Sequence, residues 1–232
     1  MTSSNYRTAF ANFLAAQKEA VQFSNSNFTN SAITRERFKR LEAAREGLRS
    51  AVANEATLAS GIDPEAAIAD AFEGISTRDA DSVAVASNEW TKVRAMLDSG
   101  RELGQIIDNS DRRRLSAVLD HVDELGAGSG DAAGVAAEVQ ARLLDRLASL
   151  GDAKAIAAVE ARTEARHHEA WGGVIEEALK GRVSVDTRTA LFNAAPEDFR
   201  ATIGQDDPDW PSVENTVAHL DSLAPALATE AS

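Results

Sequence analysis

The chain contains no cysteine. That excludes disulfides, thiolate metal sites and a cysteine nucleophile. Aromatic residues are scarce, with a single tyrosine, and alanine supplies much of the hydrophobic fraction. Alanine favours helix but buries little area. Modest cores and closely spaced helices follow, with partner subunits as a further source of burial. No apolar run approaches the roughly 20 residues that span a bilayer, so no membrane partner is expected. The start, Met1-Thr2-Ser3-Ser4-Asn5, lacks a basic segment followed by an apolar one and does not read as a secretory signal. A reducing, cytoplasmic compartment at synthesis is the expectation. No phosphate loop, dinucleotide fingerprint, nucleophile elbow, paired-histidine zinc motif or fixed-period repeat is present. No catalytic residue is therefore assigned, and no cofactor is expected.

With 232 residues the chain can form one large or two small domains. Its formal net charge of −13 disfavours nucleic-acid binding by the free chain. The segment from Glu197 to Ser232 holds eight acids and one base, which makes it an acidic tail.

What is present is helical periodicity. The longest pattern runs from Asp131 to Gly181 and reads as two helices joined at Leu150-Gly151-Asp152. Val135, Val139, Leu143, Leu147 and Leu150 form one stripe. The second stripe runs through Ile156, Val159, Thr163, His167, Ala170, Trp171, Val174 and Ala178. Asp131 and Asp152 are N-cap residues, and Gly151 and Gly181 are helix stops. Gly172-Gly173 implies a kink or the close approach of another backbone. Earlier helices are expected over 5–23, from Ser31 or Thr34 to Leu58, from Pro64, and over 88–99, 102–107 and 111–125. Later ones are expected after Asp186, over 196–204 and around Val213 to Leu223. The fold class is all-α, either two small helical domains or one elongated domain with a long central hairpin. The expected divisions are an aromatic helix and tether (1–30), a helical domain (31–125), a Gly/Ser linker (126–130), a hairpin domain (131–204) and an acidic helix and tail (205–232).

Three groups of residues invite a functional reading. The first is the N-terminal helix, where Tyr6, Phe10, Phe13 and Leu14 share a face ahead of the polar loop Ser24 to Ser31. Such a helix is either a core element or an arm that docks on a neighbouring subunit. The second reading makes those four residues partner-binding. The next group is basic. Arg35, Arg37, Lys39 and Arg40 open a stripe on the second helix, and Arg112, Arg113 and Arg114 open a helix that follows a helix and a short helix, as in a helix-turn-helix reader. Both sets are candidates for phosphate or nucleic-acid contact, against solvated faces held by neighbouring acids.

The last group is Glu160, Glu164, His167 and His168. Glu164 and His167 form an E-x-x-H pair of the type that binds metal in di-iron bundles. Those sites need a second such pair, and the residues three positions before His121 and His219 are Val118 and Thr216. No metal is expected. His167 then reads as a partly buried helix-face residue, and Glu164 with His168 as a surface pair.

The segment Glu89-Trp90-Thr91-Lys92-Val93-Arg94-Ala95-Met96-Leu97-Asp98-Ser99-Gly100-Arg101-Glu102-Leu103, with Gln105 to Arg114 after it, resembles helical segments in small virion structural proteins of actinobacterial tailed phages. The arginine- and alanine-rich, cysteine-free composition is similar too. The resemblance covers about a ninth of the chain and carries no functional motif. It implies a non-enzymatic head- or neck-region protein, located in the virion, whose partners are copies of itself and other proteins of a larger assembly. The alternatives are a helical regulatory or nucleic-acid-associated protein and, third, a metal-dependent helical-bundle enzyme.

Overall fold

The computed structural model describes residues 3–76, 79–126, 130–203 and 210–229, and every regular element among them is a helix. The helices are α1 (Ser3–Gln22), α2 (Asn30–Ala59), α3 (Pro64–Glu73), α4 (Ala80–Asp98), α5 (Leu103–Asp108), α6 (Arg112–Asp120), α7 (Val122–Gly126), α8 (Ala132–Ser149), α9 (Ala153–Leu179), α10 (Val185–Ala194), α11 (Pro196–Ala201) and α12 (Trp210–Thr229). The all-α reading holds. None of the helices is long and apolar enough, over the described residues, to cross a membrane.

The helix ends obey local chemistry. Asp63, Asp111 and Asp131 each accept from a backbone N–H three residues on, and Asp152 accepts from Lys154 and Ala155. Asp79 and Ser82 cap each other reciprocally. α4, α8 and α9 end at Gly100, Gly151 and Gly181, all with positive φ. At each, the glycine N–H and the next N–H reach back to two carbonyls of the last turn, as at Gly151 to Ala148 and Asp152 to Leu147.

The chain divides into two compact units, and the boundaries differ from those expected. One unit comprises Asp63–Glu164, and the other joins Met1–Ile62 to Ala165–Ser232. The expected linker at 126–130 is not a boundary. Gly126 is the buried last residue of α7, α7 packs on α8 within one unit, and residues 127–129 lie outside those described. The real divisions fall after the stop at Ser60-Gly61 and inside the continuous helix α9, where no breaker residue exists to mark them.

In the Asp63–Glu164 unit, α4 packs on α6, and α8 packs on α3, α5, α6 and α7. Trp90, Val93, Leu115, Val118, Leu143, Leu144 and Leu147 form its core. The N-terminal half of α9 contributes Ala155 and Ala158, both fully buried, while Ile156 is 40% exposed. The expected stripe through Ile156 is thus turned by one residue. Alanine at the contact lets helices approach closely, and the larger isoleucine is displaced outward. The expected helix over 111–125 is broken at His121, which lies stacked on Trp90 at 4.5 Å and 6°.

In the other unit, α1 and α2 form an antiparallel hairpin, with Asn5 at the start of α1 bonded to Glu55 near the end of α2. α12 packs on both. One core gathers Tyr6, Phe10, Phe13 and Leu48 with Trp171, Val174, Ile175 and Leu191. A second joins Ala20, Val21 and Leu41 to Val213, Val217 and Leu220. Arg45 is buried beside them and grips Asp221 through two nitrogens at 2.8 and 2.7 Å. α9 runs unbroken through Gly172-Gly173. The expected close approach at Gly173 is the Thr187 side chain rather than a backbone, and a Cβ at Gly172 would meet nothing.

Candidate functional site

A set of polar groups in the unit containing α1 sits where α1, α9 and α11 supply neighbouring side chains. On α9, His167, His168 and Trp171 lie within one turn, so His167 and Trp171 share a face at i,i+4 spacing. Pro196 starts α11 and places Asp198 at its third helical position. Asp198 is 3% exposed. A buried carboxylate needs charge or hydrogen bonds to replace water. Here Oδ2 accepts from Trp171 Nε1 at 3.2 Å and lies 3.0 Å from His167 Nε2. A carboxylate oxygen can only accept, so Nε2 carries the proton. Thr202 closes the turn by donating to the Asp198 carbonyl at 2.7 Å.

Tyr6 stacks on Trp171 with ring centroids 5.9 Å apart and 12° between planes. Its hydroxyl lies 3.0 Å from His168 Nδ1. Burial, and then the negative charge of Glu55, push the Tyr6 phenol above its ordinary range, so it stays neutral. Glu55 is itself buried. Asn5 donates to its Oε1 at 2.6 Å, and Oε2 has no hydrogen-bond partner among the described residues.

Among Glu160, Glu164, His167 and His168, the structure departs from the expected surface placement at His168. The two carboxylates are on an exposed part of α9. His168 is buried against Tyr6, and the partly buried His167 turns to Asp198. No group of three or more His, Asp or Glu side chains is arranged as metal ligands among the described residues. A His–Asp pair can orient a general base. In this arrangement His167 Nε2 is committed to Asp198, and its neighbouring rings are Tyr6 and His168 at 6.1 and 6.0 Å. The geometry serves as a strut that pins α1 and α11 to α9.

The N-terminal aromatic residues are corrected too. Tyr6, Phe10 and Phe13 are 3%, 1% and 3% exposed, and Leu14 packs against the same core. Their faces are spent inside the chain, so they do not form a free docking arm. The loop that follows α1 turns the chain back into α2 within seven residues, between Gln22 and Asn30, and Thr29 caps α2.

Within each basic set, several side chains have partners of their own. Arg112 donates to the Gly74 carbonyl at 3.0 Å and pairs with Asp152 at 2.7 Å. Arg114 pairs with Glu89 at 3.0 Å, and Arg113 is exposed. Two of the three therefore clamp α3, α4 and the start of α9 around α6. Arg37 donates to the Phe23 carbonyl at 2.8 Å. Arg40 pairs with Glu36 and lies 4.1 Å over the Phe23 ring. Arg35 and Lys39 are exposed.

Sequence reasoning missed Glu55, Asp198 and the inward turn of His168. For Glu55 a signal existed, because Leu41, Arg45, Leu48, Val52 and Glu55 continue one stripe at alternating steps of four and three. For Asp198 no local signal distinguishes a buried acid from a first-turn acid that serves the helix dipole. No family model, curated protein or solved structure matches the chain.

Proposed function

We propose that this chain is a non-enzymatic helical structural protein that works through contacts with copies of itself and with other proteins of a larger assembly. The phage head or neck is the setting that the resemblance of residues 89–114 suggests. The observation that carries the reading is the outer face of α10. Val185 and Phe192, seven residues apart on one stripe, are 76% and 44% exposed. Phe192 continues edge-on into the half-buried Phe199 at 5.6 Å. Apolar side chains grouped on one surface mark contact sites more often than single exposed ones do. The polar groups with chemical potential, by contrast, are used as struts.

The test is mass photometry of the full chain, alone and with candidate virion proteins, against the double variant Val185→Glu, Phe192→Glu. The expected result is a species heavier than one chain that dissociates in the variant while helicity is kept. A wild-type chain that stays monomeric in every mixture would overturn the proposal.

A further inference from the structure

The α1–α2 hairpin carries an apolar groove of about 440 Å³ between its two helices. Phe13 and Leu48 are buried at its floor, and Ala9, Ala16, Ala43 and Gly47 line it. Asn12, Ala43 and Gly47 are exposed, so the groove lies open to solvent. Glu19 and Arg40 are the charged side chains among its described lining residues. The helices are antiparallel, and Asn5 bonds to Glu55 at one end. Each step along α1 is matched by an equal step back along α2. Ala9 therefore lies level with Ala51, Asn12 with Leu48 beside Gly47, and Ala16 with Ala44. Glu19 and Arg40 fall within one residue of the same level, at the other end of the groove.

Two independent observations point to what covers the groove. The first is Gly47. It sits in the interior of a 30-residue helix, where glycine is unfavourable relative to alanine. A Cβ there would meet nothing within 4 Å, so no contact inside the chain requires its absence. Close approach by another backbone does. The second is charge. Glu19 makes no ion pair or hydrogen bond among the described residues. Arg40 pairs with Glu36 one turn away on its own helix, an exposed pair of little worth. A two-fold axis laid along the groove keeps every residue at its level and exchanges the two helices. It brings Glu19 of each copy to the partner's Arg40, twice per dimer. It also sets each Asn12 over the partner's Gly47, where the missing Cβ leaves room.

We infer that a second copy of this chain covers the groove, the two α1–α2 hairpins closing into an antiparallel four-helix bundle about a two-fold axis. Alanine over alanine elsewhere in the contact lets the helices approach at the short end of the usual range, about 8–10 Å between axes. The groove spans about three turns of each helix. That places the contact below about 1,200 Å² in total, at the low end of specific interfaces, and makes the dimer a weak one. The α10 face is separate from it and is not required.

Sedimentation equilibrium at concentrations up to about 1 mM, where a weak interface is populated, tests this. The full chain carrying Val185→Glu and Phe192→Glu is used, so that α10 contributes no association. A reversible monomer–dimer equilibrium is expected. Gly47→Gln, added to that chain, fills the groove without a clash inside the molecule. The dimer should then be lost while the melting temperature stays level or rises. Glu19→Arg alone, or Arg40→Glu alone, sets like charges against each other in both cross-pairs and should weaken the dimer about tenfold. An equal mixture of those two variants pairs opposite charges across the dimer and should restore it. Absence of a dimer at every concentration, a dimer unchanged by Gly47→Gln, or a mixture no stronger than either variant alone would each overturn the inference. A chain that stays monomeric but binds a different protein, with that binding lost in Gly47→Gln, would give the groove to that partner and overturn it likewise.

Discussion

Removing residues 1–30 separates the two roles open to the N-terminal helix. The deletion takes out Phe10, Phe13 and Val21, all buried. At roughly 1.5–3 kcal/mol per buried side chain, their loss is worth about 5–9 kcal/mol. Tyr6 leaves with them, and its stacking on Trp171 and its hydrogen bond to His168 are lost as well. Whole domains are stable by about 5–15 kcal/mol, so what remains of this unit should not stay folded. A milder form of the same perturbation is Phe10→Ala. Phe10 is 1% exposed and meets Trp171 edge-on at 5.6 Å, so the cavity should cost about 3–5 kcal/mol. Hydrogen exchange read by mass spectrometry resolves the result by segment. The truncated chain should lose protection over α2 and the C-terminal half of α9, and Phe10→Ala should lower protection in the same segments by the stated free energy. Unchanged protection in both, with self-association alone lost, would refute the burial argument and restore the docking arm.

Other perturbations test separate parts of the structure. Arg45→Ala leaves Asp221 without its bidentate partner, and urea denaturation should show a loss of about 3 kcal/mol, the low end for a broken buried pair because Asp221 remains 31% exposed. Lys92 and then Arg114 hold Glu89 below the usual carboxylate range. A group that binds its proton less tightly when folded adds stability above its unfolded pKa of about 4.3 and loses it as pH falls through the folded value. Glu89→Gln should therefore lower stability at pH 7 and flatten its decline below about pH 4.3, read by thermal melts across pH. Gly172→Ala, inside α9 and with open space at the Cβ, should raise stability by up to about 1 kcal/mol. Gly151→Ala, at φ +83°, should lower it by about 1–2 kcal/mol in the same denaturation assay.

Helix content, most helix starts and the stops at Gly100, Gly151 and Gly181 were legible in the sequence, because caps and periodicity act over a few residues. Asp131 needs only the amide of Gly134, and the turn at Gly151 needs only its own missing Cβ. The same local logic misled about the domain boundary, because glycine and serine content between α7 and α8 does not say whether those helices pack together, and they do. Which face of a helix is buried, and against what, depends on partners distant in sequence. Ala155 and Ala158 displaced Ile156 from the core because close approach of helices rewards small side chains there. His168 turned inward because Tyr6, 162 residues away, offers it a hydroxyl. Phe10 and Phe13 became core rather than arm because Trp171 and Leu191 form a surface for them to cover. The sequence by itself determined that the chain is helical and where most of its helices begin and end. Only the tertiary structure decided which apolar faces are already spent and which, on α10, are left outside.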